Sequence, residues 1–142
     1  MTVNTLNLRW ISGGADEGCE VEVLVDGTNL IELVRNWEAE HTPEPKLAGQ
    51  YAGLQESPAD LLKAWLVPGE WKAHLLVCDG CLEWGCWPLQ ARIIREGERV
   101  IWSEFEQPHR RETWSYDGFG PFVFDAVQHD TEIGALLREV AG

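Results

Sequence analysis

The chain has 142 residues, 24 of them acidic and 11 basic, which gives a formal net charge of −13. This length is that of one domain with a core of its own, and the charge disfavours nucleic acid and anionic membranes, because both are bound through clustered cations. The N-terminal residues lack the pattern of a signal peptide and no apolar run is long enough for a membrane span, so we expect a cytoplasmic protein.

The first half of the chain predicts two strands followed by a helix. Residues 3–11 and 20–25 alternate apolar and polar side chains, which is typical of strands. Apolar residues then recur with helical spacing over 30–37, and Asn29 is placed to cap the helix. Residues 42–57 are rich in Pro, Gly and Gln and predict an irregular connection, with a mobile loop as one interpretation.

The second half predicts mostly strands, and the helices do not alternate regularly with them. This order disfavours a parallel sheet. We therefore predict a single α+β domain over residues 1–142, an antiparallel sheet of five to seven strands with two or three helices packed on it. The predicted elements of this half are a helix at 58–66, strands at 71–78, 89–95, 99–106, 114–116 and 122–124, and a last helix capped by Asp125.

Three of the four cysteines, Cys78, Cys81 and Cys86, lie within nine residues. The Cys-x2-Cys spacing can supply two thiolates to a tetrahedral zinc ion, Cys86 a third, and His109 is the best candidate for the fourth ligand. A redox dithiol and three reduced cysteines packed as small apolar residues remain alternatives. The weaker candidates for the fourth ligand are His74 and Cys19.

Residues 107–111 form the other concentration of polar side chains, with His109 between Pro108 and two arginines. Arginines suit carboxylate or phosphate, and a histidine suits proton transfer, so an anion site is one interpretation and a solvated turn is the other. Glu104 and Glu106 are predicted on one face of the preceding strand with Trp102. Paired carboxylates can act as acid and base, although an exposed strand face explains them as well.

Three runs in the C-terminal half, at 85–89, 102–110 and 120–125, resemble those of a family of small bacterial proteins that carries no assigned activity. The resemblance implies a stand-alone bacterial domain in the cytosol and implies that the three runs meet in space, with Cys86 among them. It supplies no catalytic residues. The candidate binding residues on this expectation are Trp87, Trp102, His109, Arg110, Trp114 and Asp125.

Two classes of function are consistent with the sequence. The first is a small acidic binding protein, rich in tryptophan, whose partner is a basic protein or a small ligand and whose cysteines hold a structural zinc; an inhibitor or antidote of a basic protein is one version. The alternative is a thiol- or His-dependent enzyme that uses Cys86, His109 and Asp125. We expect binding rather than catalysis, because the sequence contains no serine-nucleophile, phosphate-loop or dinucleotide motif.

Overall fold

The structure, a computed structural model, describes residues 3–13, 18–55, 58–67, 69–79 and 87–141. Three helices and eight strands lie in this part of the chain, which confirms the predicted α+β class. The helices are α1 (Leu30–His41), α2 (Pro58–Leu66) and α3 (Ala126–Ala141). The strands are β1 (Leu6–Gly13), β2 (Gly18–Val25), β3 (Thr28–Asn29), β4 (Tyr51–Ala52), β5 (Ala73–Cys78), β6 (Leu89–Glu96), β7 (Arg99–Glu106) and β8 (Phe122–Asp125).

The strands divide between two antiparallel sheets, of order β1-β2-β3 and β4-β5-β6-β7-β8. The sequence had predicted one sheet of five to seven strands. β3 and β4 are two residues long, which is too short for a periodic pattern to show. Residues 114–116, predicted as a strand, are irregular, because the Trp114 N–H donates to Arg110 O (2.8 Å) and closes a turn there.

Backbone hydrogen bonds join the two sheets at both ends. Asn4 N–H donates to Val123 O of β8 (2.6 Å), and Val21 N–H of β2 donates to Leu54 O, just after β4 (3.0 Å). The hydrogen-bonded strands therefore run in a closed ring around the core. Its fully buried side chains include Leu6, Leu30, Leu54, Leu75, Trp65, Trp102, Phe124 and Ile133.

The connection predicted over 42–57 is more ordered than its composition indicates. Its described residues contain a 3-10 turn, Pro45–Leu47, and the strand β4. Leu54 is completely buried, and it is the residue that closes the ring. Pro and Gly here set turns between packed segments, so the prediction of an irregular connection is wrong for the described residues of this segment.

The helix caps lie where the sequence places them. Asn29 Oδ1 accepts from the Ile31 N–H (2.8 Å) at the start of α1, and Asp125 Oδ2 accepts from the Gln128 N–H (3.1 Å) at the start of α3. A serine followed by proline is typical of a helix start, which predicts Ser57 as the cap of α2; Ser57 lies outside the described residues. None of the described helices is both long and apolar enough to cross a bilayer.

Beyond the bond from Asn4 to β8, the outer edge of β1 is covered by side chains of α3. Gln128 acts there as a neighbouring strand would: its Oε1 accepts from the Leu6 N–H (3.0 Å), and its Nε2 donates to Leu6 O (2.5 Å). One turn later, Glu132 Oε1 accepts from the Leu8 N–H (2.9 Å). These bonds satisfy backbone groups that would otherwise be buried without partners.

The five-stranded sheet has one covered face and one open face. Along β6 and β7, buried side chains alternate with half-buried or exposed ones. On the covered face, Trp65 of α2 packs edge-on against Trp102 (ring centroids 5.3 Å apart), next to α3. The opposite face, which we call the outer face, includes Gln90, Arg92 and Glu106, and it carries the site described below.

We predict that Gln128→Leu lowers the free energy of unfolding by about 2 kcal/mol, because it leaves the buried N–H and C=O of Leu6 without partners while keeping the side-chain volume. Glu132→Gln, which keeps an acceptor for Leu8, is the matched control and should change stability little. Urea unfolding of both variants measures the difference. Equal losses in the two variants would contradict this role for Gln128.

Candidate functional site

Three adjoining cavities form a trough at the outer face, between the end of β7 and the loop that follows it. Their volumes are about 470, 280 and 220 Å³. Lys72, Glu106 and Arg111 line both the first and the second cavity. The second and third cavities share Glu104, Phe105, Tyr116 and Asp117. Because neighbouring cavities share lining residues, the three lie side by side along this face.

Charged side chains at the first cavity are held by one another. Glu106 pairs with Lys72 (Nζ–Oε2, 3.6 Å) and with Arg111 (Nε–Oε2, 3.1 Å). The side chains of Lys72 and Glu106 are only 18% and 19% exposed, so water screens this pair less than a surface pair. The first cavity therefore presents fixed cationic groups around one carboxylate.

The floor of the first cavity contains a histidine that burial keeps neutral. Burial lowers the pKa of His74, and Gln90 Nε2 lies 3.1 Å from His74 Nε2. If the amide nitrogen donates, that ring nitrogen is the acceptor and the proton lies on Nδ1. His74 then contributes a polar but uncharged surface to the cavity.

Trp71 stands at the rim of the first cavity with 83% of its surface exposed. The sequence predicted it as part of the next strand, in alternation with Ala73. The strand begins only at Ala73, which is buried, so the indole of Trp71 lies outside the sheet and faces solvent.

An irregularity in the pairing of β6 and β7 separates Trp102 from the two glutamates that the sequence placed on the same face. Gln90 pairs with Glu106 and Arg92 pairs with Ser103, so β7 has one residue more than β6 between these pairs. This extra residue is a β-bulge. Trp102 consequently faces the buried side, whereas Glu104 and Glu106 both line the trough.

Three of the six candidate binding residues come together. The guanidinium of Arg110 lies 4.9 Å from the ring centroid of Trp87, and Trp87 packs edge-on against Trp114 (5.7 Å). Glu44 accepts a hydrogen bond from Trp114 Nε1 (3.2 Å) and pairs with Arg110 (3.5 Å). His109, also among the six, is exposed in the 3-10 turn beside Arg110.

The other two candidate residues lie elsewhere, which corrects the expectation that the three runs line one region. Trp102 is completely buried on the covered face. Asp125 caps α3 and pairs with Arg99, at the opposite end of β7 from Glu106. Seven residues of strand separate these ends by about 23 Å. A strand holds its two ends apart, so Asp125 and His109 cannot share a site.

The zinc site predicted from Cys78, Cys81, Cys86 and His109 falls largely outside the described residues. Cys78 is the last residue of β5 and is half-buried, whereas Cys81 and Cys86 lie in the part not described. Within the described ranges, no group of three His, Cys, Asp or Glu side chains is arranged to hold a metal. The four-residue site therefore stays a prediction.

A buried carboxyl group that the sequence analysis did not single out lies behind the trough. Glu38 is completely buried on the inner face of α1. It accepts hydrogen bonds from the Gly49 N–H (2.8 Å), from the Tyr51 hydroxyl (2.5 Å) and from the Tyr116 hydroxyl. Burial raises the pKa of Glu38, although these hydrogen bonds lower it in part, and burial also raises the pKa of both tyrosines. The sequence signal that could have indicated its burial is the helical spacing, since Glu38 follows Val34 by four residues and so lies on the same face of α1.

A second buried titratable group joins α3 to the sheet. His129 is completely buried, and its Nε2 accepts from Trp102 Nε1 (3.1 Å). Its Nδ1 therefore carries the proton and donates to Asp130 Oδ1 (2.8 Å), which Arg95 also binds (2.7 Å). Burial lowers the pKa of His129 despite the carboxylate of Asp130, so the ring is a neutral structural link.

Comparisons with protein-family models, with curated proteins and with solved structures found no match to this chain. The resemblance of the C-terminal half to a family of small bacterial proteins stays a prediction. Function therefore has to be argued from the geometry of the site.

We predict that the stability of the protein relative to Glu38→Gln falls as the pH rises from about 4.5 towards neutrality. Folding raises the pKa of Glu38, so the favourable contribution of the protonated form is complete below the unfolded-state pKa and is lost as the pH rises through the folded-state pKa. Chemical unfolding of both proteins across this range measures the difference. Glu32→Gln, exposed on the same helix, is the control for removing a negative charge, and a pH-independent difference for Glu38→Gln would contradict the expectation.

We predict the opposite sign for His129. Its pKa is lowered in the folded state, so its contribution is complete above the unfolded-state pKa of about 6.5 and is lost as the pH falls below that value. The stability difference between the protein and His129→Gln should therefore be smaller at pH 5 than at pH 7. Leu136→Ala removes a buried side chain that does not titrate, and its difference should be the same at both values. If the two variants behave alike, protonation of His129 does not limit stability.

Proposed function

We propose that this chain is a binding protein without catalytic activity, and that it binds an extended segment of a partner protein in the trough. The observation that carries the proposal is the exposed indole of Trp71 at the rim of three adjoining cavities. Pockets of a few hundred Å³ with a few fixed polar groups are typical of binding sites. An elongated trough with shared walls suits a length of polypeptide better than a compact molecule.

Trp71 has the properties of an anchor for such a segment. Tryptophan and arginine are the residue types that contribute most to protein–protein binding, since they bury much apolar surface and also form hydrogen bonds. At the first cavity, the indole of Trp71 stands beside Arg92 and Arg111. Covering this indole would remove an exposed apolar surface from water, which favours association.

The charges around Glu106 support recognition of polar groups on the partner. Lys72 and Arg111 are already held by Glu106, so little conformational entropy is lost when a ligand joins them. Donor groups of this kind can bind backbone carbonyls and carboxylates of an extended chain. At a distance, the net charge of −13 speeds encounters with a basic protein, and an inhibitor or antidote of a basic protein remains one version of the proposal.

The enzymatic alternative has less support, because it needs Cys86, His109 and Asp125 close together. Asp125 lies at the far end of β7, about 23 Å from the end that leads to His109. The carboxylate therefore cannot orient the imidazole of His109. A structural zinc at the cysteine cluster and a cytoplasmic location accompany the binding function as predictions of the sequence.

We predict that Trp71→Ala weakens binding about 30-fold, which corresponds to the roughly 2 kcal/mol of a tryptophan anchor. The measurement starts from random peptides displayed on phage and selected on the immobilised protein, and then determines the Kd of the enriched peptides by fluorescence polarisation. Thermal unfolding should be unchanged, because Trp71 is almost fully exposed.

Val127→Ala is the matched control for this experiment, since it removes another exposed apolar side chain (74% exposed) on α3 rather than at the trough. It should leave the Kd unchanged. The proposal is wrong if the selection enriches no peptide, or if the enriched peptides bind Trp71→Ala as tightly as the original protein.

A further inference from the structure

We infer that Glu104 is the residue of the trough that selects the partner, by binding a lysine or arginine side chain of the bound segment. The inference rests on the proposed function and assigns a chemistry to one end of the same trough. Its basis is the backbone conformation of Glu104, the weakness of its contacts within the protein, and the charges of the cavity walls around it.

Glu104 occupies a backbone conformation that favours glycine. It lies in the bulge of β7, between the pairs Arg92–Ser103 and Gln90–Glu106, and its φ is 50°. Bulges of this kind usually place glycine at the left-handed position, because a Cβ atom there meets the backbone. A glutamate at this position destabilises the fold relative to glycine.

Contacts within the protein do not explain why a glutamate stands there. The other described residue of this kind is Asp26, with φ 53°, and its carboxylate accepts from the Thr5 N–H (2.8 Å) and from Asn4 Nδ2 (2.6 Å). Asp26 thus fastens the chain that leads into β1. Glu104 instead pairs with Arg92 (3.2 Å), and the two side chains are 59% and 39% exposed. An exposed ion pair of this type contributes little to stability.

The bulge places Glu104 where a bound segment would pass it. Its side chain lines the second and third cavities, together with the exposed Asp117. The described lining of the third cavity contains these two carboxylates and no basic residue, whereas three basic and two acidic residues line the first. Lys72 and Arg111 line the second cavity as well as the first. The lining therefore becomes more acidic from the first cavity to the third, which favours a basic side chain of the bound segment at the Glu104 end.

The test compares the phage-selected peptides on three variants of Glu104. Peptides selected on the original protein should share a lysine or arginine, and their Kd should rise at least tenfold for Glu104→Gln. Selection on Glu104→Lys should enrich an acidic residue at the same peptide position. Glu104→Gly should unfold at the same or a higher temperature than the original protein, because glycine relieves the left-handed conformation, and should bind as weakly as Glu104→Gln.

Glu96→Gln is the matched control. It removes the same charge from an exposed residue at the other end of the β6–β7 hairpin, about 17 Å along the strand, and it should leave the Kd unchanged. An equal loss in Glu96→Gln would show general charge attraction and overturn the inference. A clear fall in the melting temperature of Glu104→Gly would assign Glu104 to the fold and overturn it as well.

The results for Trp71 and Glu104 separate the two proposals. Peptides that depend on Trp71 but bind the Glu104 variants unchanged would overturn the role of Glu104 and leave the trough as the binding site. A failure to obtain peptides that depend on Trp71 would overturn the proposed function itself.

Discussion

One wall of the trough depends on the buried carboxyl group of Glu38. Its two oxygens accept hydrogen bonds from three donors on two segments, Gly49 and Tyr51 on one and Tyr116 on the other. Burying a carboxyl group is unfavourable unless donors surround it, so helix α1 fixes both segments at once. Tyr116 also lines the second and third cavities. The irregular loop that carries it is thereby positioned by an interaction behind the trough rather than by strand pairing.

The elements with a local signal could be predicted from the sequence. The caps at Asn29 and Asp125 and the β6–β7 hairpin depend on residues close together in the chain, and the structure confirms them. The closure of the ring at Leu54 and Val123 could not be predicted, because each bond joins residues far apart. The bulge at Glu104 was missed for another reason: the run from Trp102 to Glu106 fits regular alternation, and one extra residue changes which face each later side chain occupies.

The candidate site, like the fold, was predicted only in part, because the sequence shows local patterns and does not show which distant residues meet. The contact of Trp87, Arg110 and Trp114 brings together residues that the sequence had singled out as polar or aromatic concentrations. Trp102 and Asp125 were grouped with them because their runs looked distinctive, although Trp102 lies on the covered face and Asp125 lies at the opposite end of β7. The exposure of Trp71 was not predicted, because the alternating pattern of the predicted strand at 71–78 includes it. Its exposure depends on where β5 begins, and that is set by the pairing of Ala73 with Ala91 rather than by composition.

Two residues of the trough depart from the usual preferences of folded proteins, one in its backbone conformation and the other in its exposure. Away from the trough, left-handed positions in the described chain are held by glycines such as Gly27, Gly49 and Gly97, or by Asp26, which has its own hydrogen bonds. Large apolar side chains are mostly buried. A glutamate in a conformation that favours glycine opposes stability, and an exposed tryptophan contributes little to it; the two residues line neighbouring cavities of the trough. Because sequences tend to follow local rules except where function demands otherwise, this coincidence favours a binding role for the trough over an accident of packing.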